Sequence, residues 1–431
     1  MSVERYVDYK KSGISLVPHI PLEWESKPLK FIADCNSRVL SESTDEGAEI
    51  TYIDISSVNY GQGVCNTQGF TFANAPSRAR RVVKSGDTII STVRTYLKAI
   101  AYISDEYDSY ICSTGFAVFT PKKGVNSRFL FYALNADWFV SDVERHSVGI
   151  SYPAITSTAL SSLKTILPPF DEQEKIVTYL DRRTAEIDGL LADLYTQAKM
   201  LERYKRELIA DVVTSGLDKT ALRKDSGADW IGKVPSHWEM TTLRAFLKAV
   251  SVKNSVDLPL LSVEREKGVV DRETEGSENN HNRIPDDLSN YKVVRTGDFV
   301  MNKMKAWRGS YGVSRYDGIV SPAYFVFALN FPNPAFFNYA IRSTKYIGFF
   351  GRDSYGIRTD QWDFKIERIK DIPFAVPPVE EQQAIVEYLD DKIPLIEGLI
   401  ADINEQIEKL KEYRQIVIHD AVTGKIKVTE G

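Results

Sequence analysis

Two stretches of the 431-residue chain place apolar side chains at alternating intervals of three and four, the period of helices that pair along one face. In residues 168–214 the seam reads Ile187, Leu190, Leu194, Gln197, Leu201, Tyr204 and Leu208, with Ile176 and Leu180 before it. In residues 377–423 it reads Ile396, Leu399, Ile403, Gln406, Leu410, Tyr413 and Val417, after Ile385 and Leu389. This 3.5-residue period predicts two long helices that pair with each other, and a glutamine buried at the same seam position in each copy to fix register. Both stretches follow a Pro-Pro pair, and Asp171 with Glu174 has the spacing of a capping box. Ser215-Gly216 and Gly424 supply the expected stops. Pro394 predicts a kink or restart near residues 390–393.

Outside the helices the pattern changes to short strand-like runs, including Thr88-Ile89-Ile90, residues 111–119, Phe299-Val300 and residues 324–327. Gly-Asp and Ser-Gly turns punctuate them, and residues 129–138 and 335–346 read as short helices. The chain is written twice. From Glu172 set on Glu381, 19 of 43 positions are identical without a gap. Ser12-Gly13 before Pro21-Leu22-Glu23-Trp24 returns as Ser226-Gly227 before Pro235-Ser236-His237-Trp238. Val82-Val83-Lys84-Ser85-Gly86-Asp87 returns as Val293-Val294-Arg295-Thr296-Gly297-Asp298, and Ser147-Val148-Gly149-Ile150 as Ser354-Tyr355-Gly356-Ile357. Between these landmarks the halves diverge. The resulting plan is a mixed α/β variable domain at 1–167, a helical segment at 168–216, a second variable domain at 217–376 and a second helical segment at 377–431.

Composition is that of an ordinary globular chain, 43% hydrophobic and 26% charged. No apolar run nears the ~18 residues of a membrane span, and the start is not that of a signal peptide, so a cytoplasmic protein is expected. Cys35, Cys65 and Cys112 fit neither a disulfide framework nor a zinc site and are expected to be buried or half-buried thiols. The net charge of −5 argues at first against a nucleic-acid partner. Its distribution reverses that. Residues 171–214 carry −3 and residues 380–420 carry −7, so the remainder of the chain is +5. The variable domains are the basic part, with aromatics interleaved, which permits phosphate binding.

Cations and aromatics collect at matching places in the two domains. After Gly86-Asp87 the first has Thr92, Arg94, Tyr96 and Lys98; after Gly297-Asp298 the second has Asn302, Lys303, Lys305, Trp307 and Arg308. Arg and Lys can pair with guanine edges or phosphates, and Asn with adenine. Arg78, Arg80 and Arg81, then Arg283 beside His281-Asn282, and Arg358 after the second Ser-x-Gly-Ile motif complete the candidate DNA contacts.

Catalytic motifs are near misses. Gly227 to Lys233 has phosphate-loop spacing, but Val234 follows where Ser or Thr must ligate Mg²⁺, and Pro235 blocks the helix. Leu167-Pro168-Pro169-Phe170 is similar to the Asn/Asp-Pro-Pro-Phe/Tyr loop of amino-methyltransferases, with Leu in place of the polar residue that holds the target amine. The five histidines are scattered and no metal-ligand pair is present. No catalytic residues and no metal or cofactor of its own are expected.

With Ser-Gly…Pro-x-x-Trp introducing each variable domain and Pro-Pro-x-x-Glu-Gln…Leu-Asp…Val-Thr closing it, the chain closely resembles the specificity subunit of type I restriction–modification enzymes. The one departure is Ile14-Ser15-Leu16 where the second copy has Asp229-Trp230-Ile231. The resemblance implies two target recognition domains, each reading half of a bipartite asymmetric sequence in double-stranded DNA. It implies helices paired antiparallel as a spacer about a pseudo-two-fold axis. It further implies two modification subunits that use S-adenosylmethionine to methylate adenine, and restriction subunits that use ATP and Mg²⁺. From Ile187 to Asp211 the helix rises roughly 36 Å, about one turn of B-DNA. A non-catalytic scaffold presenting two protein- or carbohydrate-binding modules is the alternative, and salt-sensitive, sequence-selective duplex binding separates the two.

Overall fold

Each repeated motif has a partner that explains its repetition. In the computed structural model, which describes residues 2–255, 257–272, 287–352 and 366–429, the chain divides into two units, 1–194 with 405–431, and 195–404. In the first unit the fully buried Trp24 donates its Nε1–H to Glu172 at 2.8 Å, and the Tyr6 hydroxyl donates to the same oxygen at 2.5 Å. In the second, Trp238 donates to Glu381 at 3.0 Å, with His237 Nε2 2.8 Å from that carboxylate. Gln173 and Gln382 turn their amides back onto the carbonyls of Pro168 and Pro377, at 2.9 and 2.8 Å. Asp181 accepts from Tyr132 at 2.6 Å and Asp390 from Tyr339 at 2.7 Å, tying each long helix to a short helix of its own unit. These are charge-assisted or buried bonds, each worth about 1–3 kcal/mol, which is reason enough for both copies to keep the residue types.

The long helices run Phe170–Ser215 and Val379–Val422. The first begins one residue before Asp171, and its opening N–H groups, those of Glu172 and Gln173, bond to the Pro169 carbonyl at 3.0 Å. A capping box on Asp171 is therefore not what starts it. Pro394 lies exposed inside a second helix that runs on without the restart that was one of the two expectations. On the solvent side the bond that proline removes leaves a carbonyl that water can reach. Gly216 and Gly424 follow the helix ends with φ of 69° and 71°, as the glycine stops required.

Each unit joins the start of one long helix to the end of the other. The core of the first packs Ile176, Tyr179 and Leu180 with Val417, Ile418, Ala421 and Val422. The core of the second packs Val212 and Val213 with Ile385, Val386, Leu389 and Ile393. Starts meeting ends makes the pairing antiparallel. The terminal strands Ser2–Glu4 and Lys427–Thr429 also pair antiparallel, so the last residues of the chain complete the unit that the first residues open.

The seam itself is rotated from the one the periodicity suggested. Ile187, Leu194, Leu201 and Leu208 are buried or half-buried, as are Ile396, Ile403, Leu410 and Val417. The alternate positions are not: Leu190, Gln197, Tyr204, Leu399, Gln406 and Tyr413 face solvent. Their neighbours Leu191, Ala198, Lys205, Ile400, Ile407 and Arg414 turn inward instead. Adjacent residues on a helix differ by only 100°, and Leu190-Leu191, Leu399-Ile400 and Gln406-Ile407 each offer two sequence-compatible choices. Both glutamines are exposed, so neither is buried in the seam, and ion pairs cross it instead. Arg414, with 13% of its side chain exposed, grips Asp188 with two N–H···O bonds of 2.9 and 3.2 Å in the first unit. In the second, Lys205 lies 3.4 Å from Glu397, the repeat counterparts of Arg414 and Asp188.

Despite divergent sequences, the two variable domains share strand order. The first has a sheet ordered Ile100–Tyr102, Thr88–Ser91, Phe116–Pro121, Ala33–Cys35. The second has Tyr311–Val313, Phe299–Asn302, Tyr324–Leu329, Leu247–Val250. All pairs in both sheets are antiparallel. A further sheet in the first domain orders Ala79–Val82, Ile111–Ser113, Glu49–Ile53 and Gln68–Thr71. The second domain answers with Lys292–Val294 on Gly318–Val320 and Leu261–Glu264 on Gly268–Asp271, bridged between Leu260 and Ile319. The recurring Gly-Asp is a turn: Asp87 and Asp298 each accept the backbone N–H three residues earlier, Lys84 and Arg295, at 2.8 Å.

The expected short helices are each two. Ser127–Asn135 and Asp137–Arg145 part at Ala136, and Pro334–Ile341 and Thr344–Arg352 part at Arg342-Ser343. Cys112 is buried and Cys35 half-buried, but Cys65 is exposed, against expectation. Among the described residues no helix is long and apolar enough to cross a membrane.

Candidate nucleic-acid interface

In the first domain the connection following Thr88–Ser91 carries four of the candidate residues. Thr92 is buried, and both its N–H and its hydroxyl bond to the Gly115 carbonyl, at 2.8 and 2.9 Å. It anchors the connection rather than presenting a free hydroxyl. Arg94 and Lys98 bracket a short helical turn, Thr95–Leu97, and both sit in the left-handed region, at φ 49° and 50°. Side-chain-bearing residues there cost on the order of 1 kcal/mol each. The strain turns the exposed Tyr96 outward, with 51% of its surface open, between two cations. Arg94 stacks on Tyr152 at 4.8 Å and Lys98 lies over Tyr60 at 5.3 Å. Tyr60 in turn donates to Asp137 at 2.8 Å.

The arginine cluster lies at the start of strand Ala79–Val82, where the register against Ile111–Ser113 shifts between Ala79 and Arg81. Arg78 is exposed, and its carbonyl accepts Thr114 N–H at 2.8 Å, so it flanks the same 114–115 turn that holds Thr92. Arg80 stacks on Phe72 at 4.8 Å. Arg81 pairs in register with buried Cys112, and its Nε is buried without a partner. Burial pushes the Cys112 thiol up to about 12, with Arg81 pulling weakly the other way. Arg81 is half-buried with its Nε shut off from solvent, and so is less open than Arg78.

The second domain builds the corresponding connection differently. Asn302 is only 8% exposed, and its Oδ1 accepts Met304 N–H at 3.1 Å, so this amide holds a turn instead of waiting for adenine. Lys305 and Arg308 are exposed, and Arg308 packs over the half-buried Trp307 at 4.3 Å. Lys303 is half-buried. Arg283 and Arg358 lie outside the described residues.

Two groups were missed in the sequence. Lys292 and Lys253 lie close enough to Lys303 to form one electropositive cluster: burial first, then Lys253 and Lys303, hold the Lys292 ammonium below the usual lysine range. Lys292 Nζ donates to the Tyr324 carbonyl at 2.6 Å. Its position beside the repeated Val-Val-Lys/Arg motif was the available signal. The other group is Tyr152 and its loop, marked in sequence only as part of the repeated Ser-x-Gly-Ile landmark.

Both connections thus lie at the same end of equivalent strands, present cations against aromatic faces, and differ in nearly every exposed side chain. One strand order thus carries two chemically different surfaces. Among the described residues no group of three or more His, Cys, Asp and Glu side chains is placed to hold a metal ion.

A family described as the type I restriction modification DNA specificity domain matches residues 21–197 and 257–409. The chain is similar to the specificity subunit of the type I restriction enzyme MjaVIII from Methanocaldococcus jannaschii, 25% identical over 71% of this chain and 72% of that one. It is also similar to the EcoBI specificity subunit from Escherichia coli, 21% identical over 70% of this chain and 66% of that one. A solved chain from work on complex assembly and conformational transition of the type I R-M system shares its fold, with a TM-score of 0.70 and 21% identity over 94% of this chain and 99% of that one.

Proposed function

The chain belongs to the family of type I restriction–modification DNA specificity subunits, with two target recognition domains, and we propose that each domain reads one half of a bipartite, asymmetric DNA sequence. The observation that carries this reading is the pair of strand-end connections, equivalent in topology and different in exposed chemistry. A shared central strand order gives the two domains the same way of approaching a duplex. Different side chains give them different words.

The same premise assigns the chemistry elsewhere. This chain selects the site, while two modification subunits supply S-adenosylmethionine-dependent adenine methylation and restriction subunits supply ATP- and Mg²⁺-dependent cleavage. The long helices carry the docking surface. Leu190 and Tyr204, 54% and 53% exposed, have repeat counterparts in Leu399 and Tyr413, 53% and 43% exposed. Exposed apolar side chains written twice fit two copies of one partner. The same helices set the unspecified gap between the half-sites.

The test is selection from a random duplex library by the full chain with its modification subunits. Two specified words separated by a fixed unspecified gap support the reading. A single word, or retention with no sequence preference, refutes it. Docking is tested separately. Leu190→Asp combined with Leu399→Asp should abolish co-purification of the modification subunit while leaving the melting temperature of the chain unchanged.

A further inference from the structure

The connection at 92–98 is not the most exposed part of the first recognition domain. In the neighbouring loop Ile150 is 104% exposed, Val148 80% and Tyr152 66%. Ile150 has the highest exposure of any large apolar side chain among the described residues. Solvent gives no reason to place an isoleucine there.

Nor is the loop loosely attached. Val148 and Ala154 exchange both backbone hydrogen bonds, at 2.9 and 3.0 Å, and close a turn around Ile150. Gly149 takes a φ of 116°, and a Cβ at that position would lie 3.0 Å from the Tyr152 carbonyl oxygen. Ala154 also bridges Val93, and Ile155 N–H donates to the Thr92 carbonyl at 2.9 Å. The Thr95 hydroxyl donates to Ser147 at 2.9 Å, and Arg94 stacks on Tyr152. The loop is fastened to the cationic connection along its whole length.

Charge selects the partner. The connection 92–98 and the loop 147–153 contain no Asp or Glu; Arg94 lies over Tyr152 and Lys98 shares its connection, while Asp142, before the loop, is 3.5 Å from His146. An aliphatic tip on a loop with no carboxylate of its own, fastened to the connection that carries Arg94 and Lys98, suits duplex DNA: phosphates take the cations, and thymine methyls or base faces take the aliphatic side chain. We infer that residues 147–153 form a second base-contacting element of the first recognition domain, with Ile150 inserted into a groove of the half-site that domain reads. This rests on the DNA-recognition reading above and adds the side chain that enters the groove.

The experiment uses the full chain with its modification subunits, in wild-type, Ile150→Ala and Ile150→Val forms. Each is put through random-duplex selection and then titrated with the duplex selected by the wild type. Ile150 is fully exposed, so neither substitution threatens the fold. Ile150→Ala should weaken binding roughly tenfold and relax base preference in one half-site only, leaving the other half-site intact. Ile150→Val, which keeps most of the apolar tip, should stay within about threefold. If Ile150→Ala selects the same two words with unchanged affinity, or weakens both half-sites equally, the inference is overturned. If the wild type itself selects no sequence, the DNA-recognition reading fails, and this inference with it.

Discussion

Gly424→Ala is the most informative single change in the scaffold. Gly424 ends the second long helix at φ 71°, and a Cβ built there falls inside contact distance of Pro21 Cγ and Cδ and lies 3.2 Å from Trp24 Cη2. Three costs combine. The left-handed backbone penalises a side chain by about 1 kcal/mol. Overpacking a filled site costs about 1–3 kcal/mol. Trp24 cannot retreat freely, because it is fully buried and its Nε1–H is held by Glu172. A loss of about 3 kcal/mol follows, which for a unit of this size lowers the apparent Tm by roughly 6–12 °C in differential scanning calorimetry. Gly216→Ala meets Glu381 Oε1 at 2.6 Å and Trp238 Cζ2 at 3.3 Å and should act in the same direction. The effect should be smaller, since a carboxylate at the end of a flexible side chain gives way more easily than a proline ring. The internal control is Gly189→Ala or Gly398→Ala. Those glycines lie within the long helices with nothing near a built Cβ, so alanine should raise stability by about 0.5–1 kcal/mol. A Gly424→Ala chain that melts at or above the wild-type temperature would refute the clasp between the helix end and the tryptophan block.

The remaining predictions concern the helices and the titrating core. Arg414→Leu should release the Asp188 clamp and cost about 1 kcal/mol, with Lys205→Leu costing less, both read from chemical denaturation. His419 is held below its ordinary value of 6.5 by burial, then by Lys425, against the opposing pull of Asp420 and Asp137. Its folded pKa is the lower one, so its contribution is complete above about pH 6.5 and is lost as pH falls through the folded value. The apparent Tm should therefore drop between pH 7.5 and 5.5, and drop less in His419→Gln; identical slopes would remove His419 from the account. Inserting four residues at Thr184-Ala185-Glu186-Ile187 should lengthen the unspecified gap and leave both half-site words unchanged, as read by library selection. Altered words would end the spacer reading.

The repeat made the scaffold legible. Residues that recur at both Trp and Glu-Gln blocks do so because Trp24 bonds Glu172 and Trp238 bonds Glu381, and a motif written twice is visible without any partner being known. The long helices and the glycine stops were readable for the same reason, since they depend on local periodicity and left-handed φ. Which neighbour of each seam pair turns inward was not readable. Leu190 and Leu191 are equally apolar, and only the packing of the facing helix chooses Leu191. The candidate DNA-contacting surface was half legible. Composition marked Arg94 and Tyr96, but could not show that Arg81 is half-buried across from Cys112, or that Thr92 and Asn302 hold turns. Nor could it show Tyr152 under the Arg94 guanidinium, because strand pairing brings those residues together across more than fifty positions.

The role proposed for this chain is to choose where a partner methylates DNA. It is tested most directly by sequencing modified bases across the genome of the host, with and without this chain. The account predicts methyladenine in one asymmetric motif of two specified words flanking a fixed gap, present with the chain and lost without it. A methylation pattern that is unchanged when the chain is removed would contradict it.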